Sequence, residues 1–119
     1  MADAERLICA SDALRDAGPG VRFEVCYFGE SAPAFVVRWE GRVYGYLNRC
    51  GHMPMELDWQ PGAFFGNDGR DLVCSTHGAV YGVTDGRCLG GPCGSTPLLR
   101  LQLSERDGAV YYLGIEDDG

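Results

Sequence analysis

The 119-residue sequence contains no lysine; all ten of its basic side chains are arginine. Schiff-base chemistry and the lysine of a phosphate-binding loop are excluded with it. Only two histidines are present, His52 and His77, and both stand in one pattern with cysteines, which leaves none for a separate acid–base or metal site. No stretch approaches the roughly 20 apolar residues of a membrane helix. The N-terminus, Met1-Ala2-Asp3-Ala4-Glu5-Arg6, is acidic where a signal peptide is basic, has no apolar run after it and lacks a twin-arginine start. A cytoplasmic, reducing location is expected, so the six cysteines are not read first as a disulfide framework. Excess positive charge is missing too. The net charge of −7 and pI near 4.6 argue against nucleic acid or an anionic membrane as partner. They suit a soluble protein, or one that meets a basic patch.

What is present is glycine (18), proline (6) and a series of short β-rich runs. Strands are predicted over 21–28, 34–39, 42–47, 70–74, 79–82, 98–103 and 109–113, from alternation and β-branched or aromatic content. Glu40-Gly41 and Arg106-Asp107-Gly108 read as hairpin turns. Helix is scarce: Ser11–Asp16 could make one turn, capped by Ser11 and stopped by Gly18-Pro19. Residues 117–119 look frayed. No repeat or linker divides the chain, and one antiparallel all-β domain over 1–119 is expected.

The chemistry-bearing pattern is a pair of loops, Cys50-Gly51-His52 and Cys74-Ser75-Thr76-His77-Gly78, with 21 residues between them. Two thiolates and two imidazoles at these spacings suit a [2Fe–2S] centre in which two cysteines hold one iron and two histidines the other. The pattern C-x-H…C-x-x-H-G resembles the Rieske family. Tyr46–Cys50 is similar to the strand that feeds the first loop, and Glu56-Leu57-Asp58-Trp59 to the segment after it. Gly90-Gly91-Pro92 falls where the family has its proline loop. The resemblance spans roughly residues 7–115.

That resemblance implies stacked antiparallel sheets with a small cluster-binding subdomain inserted over roughly residues 49–93. It makes Cys50, His52, Cys74 and His77 the ligands of one [2Fe–2S] cluster. Two ferric ions, two sulfides and two thiolates sum to zero, so an added electron is accepted more readily than by an all-cysteine cluster; Rieske potentials span roughly −150 to +300 mV. High-potential members carry a disulfide between the ligand loops, at positions that here are Met55 and Thr76. They also place a serine donor where this chain has Ala79. Tyr81 keeps a tyrosine that could donate to a cysteine sulfur. A potential low in the range is expected.

The function implied is that of a soluble Rieske-type ferredoxin, an electron carrier and not an enzyme. It would take one electron from a reductase and pass it to a terminal oxidoreductase, an oxygenase being the expected acceptor. Docking would be transient, at the His52/His77 edge, with Met53, Pro54 and Met55 as an apolar rim, and the carrier monomeric. Two alternatives remain open: a small subunit fixed in a larger complex, such as a nitrite-reductase-type enzyme, and a non-electron-transfer role as an iron–sulfur sensor or zinc-stabilised interaction module. Cys88 and Cys93 read first as small apolar residues of a tight loop, with a local disulfide or a second redox site as alternatives. Cys9 and Cys26 read as buried fillers. Trp59, Tyr44, Tyr46, Tyr111 and Tyr112 read as core or sheet-face residues.

Overall fold

The computed structural model describes residues 6–27, 29–48, 64–65, 69–74, 78–90 and 98–115. Among these, nine strands form three antiparallel three-stranded sheets. Sheet I is β1 (Arg6–Ala10), β9 (Ala109–Ile115) and β8 (Leu101–Arg106), in that order. Sheet II is β2 (Val21–Tyr27), β3 (Glu30–Trp39) and β4 (Arg42–Leu47). Sheet III is β5 (Asp71–Val73), β6 (Val80–Gly82) and β7 (Cys88–Gly90).

Strand β3 organises the core because it is buried on both faces. Successive side chains of a strand point to opposite sides. Ala32 and Ala34 pack with Val25, Leu47 and Leu101, and Val36 packs with Leu14 and Val110, all toward sheet I. Phe35 and Val37 pack with Leu72, Tyr81 and Val83 of the sheet III region. This two-sided burial is why residues 34–37 form a continuous apolar run instead of an alternating one. Sheet II is therefore the middle layer of the core.

The turns follow from local chemistry. The register pairs Trp39 with Arg42 and Arg106 with Ala109, leaving two-residue loops. Glu40 (φ 51°) and Gly41 (φ 83°), like Asp107 (φ 54°) and Gly108 (φ 75°), have both central residues at positive φ. That conformation matches the twist of the flanking strands.

Several sequence expectations are corrected. Strand β1 and strand β7 were not anticipated. The predicted 98–103 strand is shifted: β8 runs from Leu101 to Arg106, and buried Leu98 belongs to the core beside sheet III. The helical turn is a 3₁₀ turn at Ser11–Ala13 with Ala10 as its N-cap, no side-chain cap, and extended backbone already at Leu14. Ser11 thus lies inside the turn and does not cap it. Cys26 is exposed, not a filler; the alternation of β2 puts it on the face of Arg22 and Glu24, which are exposed as well. Cys9 is half-buried, and burial pushes its thiol pKa up. Among the tyrosines, Tyr46 is core, while Tyr44, Tyr111 and Tyr112 are half-buried.

Arg38 ties the 3₁₀ turn to both larger sheets. Its guanidinium donates to the carbonyls of Leu14 (3.1 Å), Ser11 (3.0 Å) and Gly41 (3.1 Å). It also pairs with Glu105 of β8. Arg38 holds the Glu105 carboxyl below the usual carboxylate range by donating to it.

Candidate metal centre

Of the four predicted ligands, Cys74 lies among the described residues; Cys50, His52 and His77 lie outside them, as do Met53–Met55, Trp59, Gly91, Pro92 and Cys93. Among the described residues no group of three potential metal ligands converges. What the structure does give is the framework on which each Cys–His loop is mounted.

The second loop joins β5 to β6, whose register pairs Leu72 with Tyr81 and Val73 with Val80. Two hydrogen bonds close its base. The Cys74 N–H donates to the Ala79 carbonyl at 2.8 Å, and the Gly78 N–H donates to the Cys74 carbonyl at 2.7 Å. Gly78 sits at φ +77°, and a Cβ there would meet nothing within 4 Å. Glycine is therefore favoured by backbone conformation, not by crowding. Its N–H is committed to the Cys74 carbonyl.

Cys74 is fully buried and outside any disulfide. It shares one apolar cluster with Ala79 and Tyr81, also fully buried. A thiolate isolated in such surroundings would be strongly disfavoured. A thiolate bound to a ferric ion has its charge offset, so a buried cysteine on a cinched, glycine-closed turn fits a cluster ligand. Ala79 brings no side-chain donor to this turn.

The first loop leaves sheet II at Asn48, which is fully buried and whose N–H donates to the Pro33 carbonyl at 2.8 Å. The chain between the loops returns at Phe64, which stacks on Phe35 at 3.9 Å between centroids and 12° between planes. The Phe64 carbonyl accepts from Val73 N–H at 2.9 Å, and Phe65 bridges to Leu72. Sheet III is pinned to sheet II by Tyr46, whose buried hydroxyl donates to the Val83 carbonyl at 2.6 Å. Its ring lies so close to Gly86 (φ +72°) that a Cβ there would be 2.7 Å from Tyr46 Cε1. The β6–β7 turn is fixed by Asp85, which accepts from the Arg87 N–H at 3.0 Å. The roles of Phe64 and Tyr46 carry no local signal, because their partners are distant in the chain. The Thr84-Asp85-Gly86 turn signal could have revealed β7.

Cys88 of β7 pairs with Tyr81 across the sheet and packs against the cluster that contains Cys74. It is disulfide-bonded, which replaces the apolar-filler reading; its partner lies outside the described residues.

Comparison with known proteins agrees with this framework. The model of the Rieske [2Fe-2S] domain matches residues 5–104. The chain belongs to the Rieske [2Fe-2S] domain family, and the cofactor of that family is a [2Fe–2S] cluster held by cysteine and histidine. Among solved structures, the ferredoxin of carbazole 1,9a-dioxygenase from Nocardioides aromaticivorans IC177 is similar, with TM-score 0.75, 21% identity, and 94% of this chain and 99% of that chain covered. A chain in the complex of reduced oxygenase and oxidized ferredoxin in carbazole 1,9a-dioxygenase matches with TM-score 0.74, 23% identity and 97% of each chain. Sphingomonas yanoikuyae B1 ferredoxin matches with TM-score 0.69, 20% identity, and 95% of this chain and 99% of that one. At these identities the likeness is one of fold. No curated protein matches in sequence.

Proposed function

We propose that this chain is a Rieske-type ferredoxin, a soluble and monomeric cytoplasmic carrier of single electrons from a reductase to a terminal oxidoreductase of the oxygenase kind. The observation that carries the proposal is the buried Cys74 on its cinched turn, within a chain of the Rieske family. The similarity to ferredoxins of oxygenase systems supports the direction of transfer.

In this reading residues 1–119 are one domain, with the cluster subdomain over roughly 49–93. Cys50 and Cys74 hold one iron as thiolates, His52 and His77 the other as neutral imidazoles. The cluster supplies a one-electron couple when bound. The chain's own residues do the rest. The apolar wall of Leu72, Ala79 and Tyr81 keeps water from the Cys74 side and sends exchange toward the His52/His77 edge. The charge of −7 favours a partner with a basic docking face, and weak, short-lived contact suits a carrier. The absence of a serine donor at Ala79 keeps the potential in the lower part of the Rieske range. A redox titration should place it there, and Ala79→Ser should raise it; a midpoint at the upper end in the native protein contradicts this account.

The functional test is anaerobic mixing of the cluster-loaded protein with a flavin reductase and NADH, followed by an oxygenase. Reduction by the first and reoxidation by the second, with the protein eluting alone on gel filtration, is the expected result. Failure of both steps, or inseparable co-purification with a large partner, would turn the assignment toward a fixed subunit.

A further inference from the structure

Sheets I and II meet at a seam that closes at one end. Strands β4 and β8 are edge strands of their sheets. They touch at the Tyr46–Arg100 bridge and at the Leu47 N–H, which donates to the Leu99 carbonyl at 2.9 Å. Past that contact a cleft of about 330 Å³ opens between Arg42–Gly45 and Arg100–Leu103. We propose that this cleft docks an extended peptide segment of a partner protein, added as a strand along β4 and presenting a carboxylate to Arg42. The cleft holds no residue of the Cys–His pattern, so the proposal stands apart from the ferredoxin reading.

The backbone decides the mode of binding. In an antiparallel pair, alternate residues turn their N–H and C=O groups toward the partner strand or away from it. The β3–β4 register is unbroken from Trp39–Arg42 to Ala34–Leu47. Leu47 turns away from β3, as its bond to Leu99 shows, so Gly45 and Val43 do so too. Val43 thus presents a donor and an acceptor to the cleft, at the spacing an extended chain can pair with. Such an edge is a template for a further strand. The floor beneath it is apolar. Leu101 is buried and Leu103 half-buried, both in the core cluster of Val25, Ala34 and Leu47. A Cβ at Gly45 would be 3.0 Å from Leu103 Cδ1, so Leu103 reaches the β4 backbone because residue 45 has no side chain.

Charge selects the occupant. Alternation puts Arg42 and Tyr44 on one face of β4, and Arg100 and Gln102 on the face of β8 opposite buried Leu101. Arg42, Arg100 and Gln102 are exposed and Tyr44 is half-buried. The cleft is lined by these two arginines, an amide and a phenol, and by no Asp or Glu among the described residues. Arg42 makes no ion pair among them. In a chain of net charge −7 an acidic segment is matched here and repelled by most other surfaces. Arg42 and Leu47 are the two ends of β4, about 17 Å apart at the rise of an extended strand. A segment held at Arg42 therefore leaves uncovered the end that leads into the first Cys–His loop.

The test is a titration of the isotope-labelled protein with the blocked pentapeptide acetyl-TVEVT-amide, followed by its amide resonances. A valine flanks the glutamate on each side, so that one pairs with Val43 while the glutamate faces Arg42. Shifts concentrated at Arg42–Gly45 and Arg100–Leu103, with slower hydrogen exchange at the Val43 N–H, are the expected result. The glutamine analogue acetyl-TVQVT-amide, and Arg42→Gln with the original peptide, should each bind about fivefold more weakly, the upper scale for an accessible ion pair. Arg42→Lys should restore binding. A peptide N-methylated at both valines should not bind, because it cannot form the ladder. Millimolar peptide without shifts at these residues overturns the proposal, as does equal affinity for the glutamine analogue or undiminished binding of the N-methylated one. Displacement of the peptide by an equal concentration of glutarate also overturns it and makes the cleft a site for small anions.

Discussion

Sheets I and II are built from strands of five to ten residues, whereas each strand of sheet III has three. The longer ladders close through two-residue turns and are locally self-consistent. Sheet III is too short to stand alone. It is held by Phe35 and Val37 beneath it, the Tyr46–Val83 hydrogen bond, the Leu98–Gly86 backbone bond at 2.8 Å and the half-buried Cys88. The difference separates a scaffold that folds on its own patterning from a platform whose order is lent by the scaffold and by whatever its loops bind. A platform of that kind fits a cofactor that must be loaded into a formed domain.

The sharpest separation comes from Cys74→Ala. Iron and acid-labile sulfide are expected to fall to background, with hydrogen exchange accelerating at Leu72 and Tyr81 while Phe35–Val37 stay protected. Retained iron, or equal loss of protection in both sheets, would erase the distinction. Tyr46→Phe removes the buried hydroxyl from the Val83 carbonyl and should lower unfolding free energy by about 1–2 kcal/mol in denaturant titration. Exchange should rise first in the Thr84–Gly86 turn.

Gly78→Ala has open space for its methyl group but must hold φ +77°. The left-handed conformation costs an alanine about 1–2 kcal/mol. Partial cluster occupancy and faster iron loss are expected, with the far-ultraviolet spectrum unchanged. A fully loaded, long-lived variant would show that the turn tolerates relaxation.

The smallest effect belongs to the scaffold. The Glu105 carboxyl is held below its ordinary value, first by the hydrogen bond from Arg38. Its contribution is complete above the unfolded carboxylate range and disappears as pH falls through the folded value. Glu105→Gln should therefore flatten the acid side of the stability curve, by about 0.5 kcal/mol for so accessible a pair. Thermal melts across the acid range would detect it, with sheet III and the metal content unaffected.

Legibility in the sequence follows the same division. Strand β4 was predicted at 42–47 and is found at Arg42–Leu47, because alternation, β-branching and Glu40-Gly41 all agree. Strand β1 was missed because its partner β9 lies about a hundred residues away and Arg6–Ala10 has no alternating pattern of its own. Strand β8 was displaced because Leu98 and Leu99 are apolar for core reasons, while the pairing positions Ser104, Glu105 and Arg106 are polar. Strand β7 carries two small residues and is defined only by the sheet it joins. At the site, the Cys–His spacing and the glycine at 78 were visible directly. The support from Phe64, Tyr46 and Cys88 was not, since each acts through a contact between distant parts of the chain.

The most direct test of the central claim is the electron paramagnetic resonance spectrum of dithionite-reduced protein, after iron and acid-labile sulfide have been measured. A rhombic signal with a low average g-value, the mark of mixed histidine–cysteine ligation at Cys50, His52, Cys74 and His77, is the predicted result. Zinc in place of iron and no signal, even after anaerobic reconstitution, would contradict it and make the domain a structural metal module.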